Sequence, residues 1–433
     1  MSEAKNVSSP LYYETLSTLA RRIENREVSS VEATQSVLDR IERLDGHLKS
    51  YATVLGEDAL EEARRADEEI ARGNYRGPLH GIPIAVKDLC FTKGIRTMGG
   101  LKVLADHIPD YDATVVERFR SAGAVLLGKL NLTEGAMAGY NPDFDAPVNP
   151  WDKDRWTGVS SSGSGVATAA GLCFASLGSD TGGSIRFPSA CCGIVGLKPT
   201  WGRVSRYGVL DLAQSLDHVG PMTRSVKDAA IVFEAIAGHD SNDPTSLYDT
   251  VPKMLEPIEE GVQGLRVGLD KGYVTDGVDP QVSAAVLDAV TVLESLGAIV
   301  VEFEFPSVAD IGGVWNTLCA SEALAAHEET YPSRADDYGA WFRDFLELGA
   351  SVTGSDYAKA HHIRSRFNGA LAGVFRDVDV IACPAMPTLP MPITKEILYG
   401  GMRSGRSDFM RFTGPFDFSG SPSINLPCGL SEE

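Results

Sequence analysis

Two short segments hold more glycine and serine than packing alone requires: Gly158-Val159-Ser160-Ser161-Ser162-Gly163-Ser164-Gly165 and Gly178-Ser179-Asp180-Thr181-Gly182-Gly183-Ser184-Ile185-Arg186. In the second, two glycines stand directly before a serine. Glycine tolerates positive φ and carries no side chain, so the N–H groups of Thr181, Gly182, Gly183 and Ser184 can turn toward one point. Donors aimed in this way stabilise the oxygen that takes on negative charge when a serine attacks a carbonyl. Losing one such donor costs about 3 kcal/mol in comparable sites. Ser184 is therefore the candidate nucleophile, with Thr181, Gly182, Gly183 and Ser184 as candidate oxyanion donors. Asp180 is placed to hold the loop by accepting other N–H groups, and Arg186 reads as a structural anchor for a carboxylate.

A serine nucleophile needs a base, and no histidine lies near it in the chain. Lysine serves when burial without a counter-charge lowers its pKa from about 10.4 toward neutrality. Lys87 ends the apolar run Gly81-Ile82-Pro83-Ile84-Ala85-Val86 and is the candidate. The end of a strand is equally where an ordinary lysine surfaces, so pattern alone leaves both readings open.

Other chemistries fit these residues less well. A flexible linker has no purpose between packed elements, and the first segment runs straight into Val166 and the apolar stretch Leu172 to Leu177. The Lys-Ser/Thr ending of a P-loop is missing, as is a GxGxxG followed by an acidic residue. The G-x-S-x-G elbow is matched only in fragments. Seven cysteines and eight histidines give neither CxxC nor HExxH spacing, and His361 and His362 point two ways on any regular element, so no metal and no organic cofactor is expected.

The elements that must position these groups follow from periodicity. Ser29 with Glu32 forms a capping box before a helix to about Asp45, and a second helix is expected over about Asp58 to Ile70. Strands are expected over Gly81 to Asp88, Ala124 to Leu130, Leu265 to Leu269, Ala298 to Phe305 and Val378 to Ala382. Helices are expected over Thr114 to Ala122, from Ser225 to Gly238, from Asp279 to about Leu296, and through most of Gly312 to Phe375. Ser241 to Gly264 reads as a surface excursion, and Gly414 to Gly429 as loop and short strand. Helix alternating with strand means a sheet covered on both faces.

Composition sets the class. The 433 residues are 43% hydrophobic and 23% charged, with 39 basic against 59 acidic side chains and a formal charge of -20. That surplus repels phosphate backbones and anionic membranes, so neither nucleic acid nor membrane is an expected partner. Met1 to Pro10 carries no leader pattern and no run reaches the ~18 apolar residues of a membrane span, which makes the cytoplasm the expected location.

Joined together, these segments resemble the amidase signature family of Ser-cisSer-Lys hydrolases, from the helices before Gly81 to Pro415-Phe416-Asp417-Phe418-Ser419-Gly420-Ser421-Pro422-Ser423-Ile424-Asn425-Leu426-Pro427. Ser184 follows Ser160 by 184-160 = 24 residues and Lys87 by 184-87 = 97. The resemblance implies Lys87 as general base, Ser160 as proton relay after a cis peptide, and Ser184 as the acylated residue. It implies that Ser161 and Ser179 orient Lys87 and Ser160. It further implies one α/β domain over residues 1–433, an α/β/α arrangement with a large mixed, mostly parallel sheet. Within it, N-terminal helices fill about 11–75, the catalytic core about 76–240 and a remainder about 241–433. Val159 and Ser162 stand where the family usually has glycine, and family members generally continue beyond the position of Glu433, so the native chain is expected to be longer.

The activity so implied is hydrolysis of a small-molecule amide, with carbamate, urethane or ester hydrolysis and the glutaminase component of a tRNA amidotransferase as alternatives. That component usually has Gln after the arginine that follows the nucleophile; Phe187-Pro188 stand here, which favours a free-standing amidase. Met137, Tyr140, Trp151 and Trp315 are the candidate walls of the substrate site. A homodimer is the one assembly left open.

Overall fold

A computed structural model describes residues 10–402 and 409–432. Residues 1–9 and Glu433, on which the readings of the two ends rest, lie outside the described residues.

The strands in chain order are β1 (Tyr51–Val54), β2 (Pro83–Lys87), β3 (Val125–Leu130), β4 (Ala175–Asp180), β5 (Val195–Lys198) and β6 (His218–Thr223). They continue with β7 (Arg266–Leu269), β8 (Ile299–Glu302), β9 (Val380–Ile381) and β10 (Ser423–Asn425). Seven of them form one sheet in the order β1-β3-β2-β4-β6-β5-β10, and the other three a small sheet in the order β8-β7-β9. The small sheet is parallel throughout. In the large sheet β2 runs parallel to both β3 and β4, while the other neighbours pair antiparallel. The parallel character thus sits at the centre, where four strands (β2, β3, β4 and β5) run one way and three the other.

β2, β3, β4 and β6 are buried along their whole length. Strands covered on both faces are ordinarily near-continuous apolar runs. Here that rule is broken at Lys87, Lys129, Ser176, Ser179, Asp180 and His218, each buried, and burying such groups is costly unless they are partnered.

The helices are built as their sequence signals require. The Ser29 capping box opens Ser30–Leu48, with both reciprocal bonds formed, a device worth about 1 kcal/mol. That helix buries Ala33, Val37 and Ile41, and Gly56–Ala71 buries Ala59, Ala63, Ala66 and Ile70. One hydrophobic cluster extends from Leu16 to Phe418.

Two expectations need correction. Gly414–Phe418 is a short helix rather than loop, because Pro415 is preset for its first turn while Phe416 and Phe418 turn into the core. The last strand of the small sheet shrinks to Val380–Ile381. The stretch after Ser241 is a largely exposed excursion, as expected, and is anchored at its start: Asp243 accepts from Arg206 N–H at 2.9 Å and Ser246 Oγ donates to Asp240 C=O at 2.9 Å.

Candidate active site

Lys87 closes β2 with its side chain wholly buried. Its ammonium reaches three hydroxyls, donating to Ser160 Oγ at 2.7 Å, Ser161 Oγ at 2.9 Å and Ser179 Oγ at 2.8 Å. No carboxylate lies within ion-pair distance of it among the described residues. Burial pushes its pKa down to about 7, against distant opposition from Cys90, Asp180 and Asp217. A lysine buried among hydroxyls is thus poised to lose its proton near neutral pH.

Hydroxyl protons can be assigned in part. Ser161 Oγ donates to Ser179 C=O at 3.2 Å and accepts from Ser179 N–H at 3.2 Å, so its proton is committed. Once Lys87 is neutral its nitrogen must accept one proton from a neighbour. Ser160 and Ser179 are both free to supply it, since neither Oγ has another partner among the described residues. The peptide bond between Val159 and Ser160 is cis, as the resemblance implied.

Ser184 is half-buried, on the turn between β4 and the helix Arg186–Cys192. Its carbonyl accepts the N–H of Ser161 at 3.2 Å, which ties the turn to the serine pair. Gly183 takes φ +135°, and a Cβ there would strike the Phe187 ring at 2.4 Å, so only glycine fits.

Asp180 organises the turn. Its carboxylate accepts from Gly183 N–H at 2.7 Å and Ile185 N–H at 3.0 Å, and from Arg186 Nε at 2.9 Å and Nη2 at 2.7 Å. Burial alone would raise its pKa, but the Arg186 guanidinium outweighs burial and holds the carboxyl well below the usual range. The Gly183 N–H is consequently spent on Asp180, which removes it from the expected set of oxyanion donors. The N–H groups of Gly182 and Ser184 have no acceptor among the described residues. Thr181 is fastened by its side chain, whose Oγ1 donates to Asp217 at 2.6 Å.

Arg186 anchors carboxylates, as its type suggested. Besides Asp180 it meets Asp417 at 2.6 Å and donates to Thr413 C=O at 2.9 Å. Asp217, Thr413 and Asp417 were missed in the sequence. Their signal was a charged or polar residue inside an apolar setting, as in Phe416-Asp417-Phe418, where burial demands a partner.

The four candidate wall residues make the following contacts. Tyr140 donates its hydroxyl to Ser162 Oγ at 2.8 Å, and burial pushes its pKa up to about 12. Trp315 donates its indole N–H to Thr181 C=O at 2.8 Å. Met137 is half-buried, its carbonyl accepting Thr133 Oγ1 at 2.7 Å. Trp151 lies 65% exposed on the outside, bonded to Cys192 C=O. Neither these four nor Ser160 and Ser184 are among the residues lining two cavities nearby. The larger, about 530 Å³, is lined in part by Leu89, Phe91, Leu101, Val103, Tyr207 and Leu210. The smaller, about 10 Å³, touches Ser179 and Thr181 beside the buried lysine and shares Ala136, Arg206, Val209, Leu210 and Asp211 with the larger.

Known proteins are similar to the chain over nearly its whole length. The amidase family model matches residues 32–433. The chain is 47% identical over 422 residues to "Putative amidase AmiD" of Mycobacterium tuberculosis, covering 96% of this chain and 87% of the relative. It is 40% identical over 451 residues to a glutamyl-tRNA(Gln) amidotransferase component of Moorella thermoacetica, covering 98% and 91%. Among solved structures, a peptide amidase in complex with the competitive inhibitor chymostatin superimposes with a TM-score of 0.84 at 31% identity, covering 98% of this chain and 92% of that one.

Proposed function

The chain belongs to the amidase family and hydrolyses amide C–N bonds, and from that membership we propose a route through a Ser184 acyl-enzyme with Lys87 as base and Ser160 as relay. The observation that carries this reading is the Lys87 nitrogen, wholly buried, with three serine hydroxyls at 2.7–2.9 Å and no ion-paired carboxylate. Such a lysine supplies a base without a histidine.

In the proposed sequence Ser184 Oγ attacks the amide carbonyl carbon while its proton passes through Ser160 to Lys87. The carbonyl oxygen becomes an oxyanion facing the N–H groups of Gly182 and Ser184, with Thr181 beside them. The C–N bond then breaks as the amine takes the proton back through Ser160. Water attacks the acyl carbon by the same proton path, releasing the acid and restoring Ser184. Ser161 and Ser179 orient the lysine, and Asp180 with Arg186 hold the turn.

The larger cavity mixes apolar walls such as Leu89, Phe91 and Leu101 with the charged side chains Arg206, Asp211, Asp243 and Glu329, and Ser184 is not among its lining residues, so it sets no charge preference for the substrate. The same fold and proton path serve a carbamate, urethane or ester carbonyl. Glutaminase action is supported by the 40% identity with an amidotransferase component; Phe187 in place of the glutamine that usually follows the arginine supports a free-standing amidase. A reducing compartment such as the cytoplasm suits the buried thiols Cys90, Cys173, Cys191, Cys192 and Cys319. Among the described residues no helix is long and apolar enough to cross a membrane.

The test is covalent labelling by a fluorophosphonate and turnover of a chromogenic anilide, wild type beside Ser184→Ala. Labelling and turnover lost together in the variant are the expected result. A folded wild type that does neither overturns the reading. Anilides, carbamates, esters and glutamine offered in parallel decide the substrate class.

A further inference from the structure

We propose that Trp315 and Thr413 are positioning residues that set the two peptide planes of the oxyanion turn, and through them aim the Gly182 N–H at the substrate oxygen. This rests on the Ser184 acyl-enzyme reading above. A peptide is planar and trans, so its C=O and its N–H point in opposite directions. Fixing one end therefore fixes the other.

In the Thr181–Gly182 peptide, the carbonyl of Thr181 accepts the Trp315 indole N–H at 2.8 Å. That bond holds the Gly182 N–H on the opposite side, where it has no acceptor among the described residues. In the next peptide, the carbonyl of Gly182 accepts Thr413 Oγ1 at 2.6 Å while the Gly183 N–H donates to Asp180 at 2.7 Å. This plane is pinned at both ends. The two consecutive planes cannot then rotate independently, and Gly182 sits between them.

Both positioning side chains are themselves held. Trp315 is buried on the helix Ile311–Ala326 and packs against Phe345. Thr413 is fully buried, and its own carbonyl accepts Arg186 Nη1 at 2.9 Å. Arg186 thereby serves the turn twice, through Asp180 from within and through Thr413 from across. Trp315 and Thr413 come from segments more than a hundred residues beyond Ser184. They bring preorganisation rather than chemistry, which matters because donors already aimed need no reorganisation during reaction.

Thr413→Val keeps the shape and deletes the donor; Trp315→Phe keeps an aromatic ring and deletes the indole N–H; Thr413→Ser keeps the hydroxyl. Removing an oxyanion donor outright costs about 10²- to 10³-fold in kcat, so misaiming one is expected to cost roughly 10- to 100-fold. Thr413→Val and Trp315→Phe should lose that in kcat with KM within about threefold, and affinity for an arylboronic acid, which mimics the tetrahedral intermediate, should fall in parallel. Thr413→Ser should recover most of the rate. A general loss of packing would instead lower the melting temperature and leave the boronate and substrate affinities changed alike.

Wild-type kcat in Thr413→Val or Trp315→Phe overturns the proposal, as does a Thr413→Ser variant no better than Thr413→Val. Should Thr413→Val fail to fold, Trp315→Phe decides between the same two outcomes. Ser184→Ala separates the premises: retained activity there overturns the acyl-enzyme reading itself, whereas an inactive Ser184→Ala beside unimpaired Trp315→Phe overturns the positioning roles alone.

Discussion

Two lysines lie buried side by side in the large sheet, Lys87 on β2 and Lys129 on β3, with Val86 opposite Lys129 and Lys87 opposite Leu130. Lys129 donates to Cys90 C=O at 2.7 Å and Thr97 Oγ1 at 2.6 Å and has Asp88 at 3.4 Å. Lys87 meets hydroxyls only. Burial pushes both pKa values down, and for Lys129 the Asp88 carboxylate opposes it. Burial is common to the two, so burial does not make a catalytic base. What distinguishes Lys87 is its partners, which can return a proton as readily as accept one.

The largest effect expected from breaking this contrast is on turnover. Lys87→Ala should lower kcat/KM on an anilide by about 10³- to 10⁴-fold, while Lys129→Met leaves it within about threefold. Comparable losses in both variants would erase the distinction. Denaturant unfolding should rank them the other way. Lys129→Met leaves Asp88 buried without its counter-charge and should cost about 3 kcal/mol, whereas Lys87→Met removes a charge that has no ion-paired partner and should cost less.

The pH dependence sharpens the same point. As the proposed base Lys87 would act only when neutral, so kcat/KM should rise about tenfold per unit below pH 7 and level off above it, following its pKa of about 7. Stability carries the matching sign. The unfolded lysine keeps its proton to its ordinary pKa near 10.5 and the folded one only to about 7, so between those values the unfolded state binds more protons. Wild type should therefore gain stability relative to Lys87→Met as pH rises through that window. A rate profile flat from about pH 6 to 9, with chemistry limiting, would remove Lys87 as base.

The smallest effects concern one hydroxyl beside each lysine. Ser161→Ala should slow turnover roughly tenfold by loosening Lys87, while Thr97→Val should leave the rate unchanged and cost about 1 kcal/mol of stability. Equal effects on rate would mean that neither hydroxyl is special.

Local signals were legible along the chain. The Ser29 capping box, the periodic faces of the first two long helices and the apolar runs of β2 and β3 follow from short-range physics, and the structure carries them with shifts of a few residues. Gly182-Gly183-Ser184 marked the turn for the same reason, since only glycine reaches the φ that Gly183 adopts. The short helix Gly414–Phe418 was not legible, because glycine, proline and serine dominate its surroundings and its stability comes from burying Phe416 and Phe418.

The sequence by itself determined the residue types available for chemistry and the elements that carry them: a serine after two glycines, a serine pair, and a lysine ending an apolar strand. Tertiary structure decided which hydroxyls surround that lysine, that the Gly183 N–H belongs to Asp180, and that Trp315 and Thr413 reach the turn. The physical reason is range. Backbone preference acts over a few residues, whereas a hydrogen bond between Thr413 and Gly182 joins positions 231 residues apart and exists only once the sheet and its helices have closed around it.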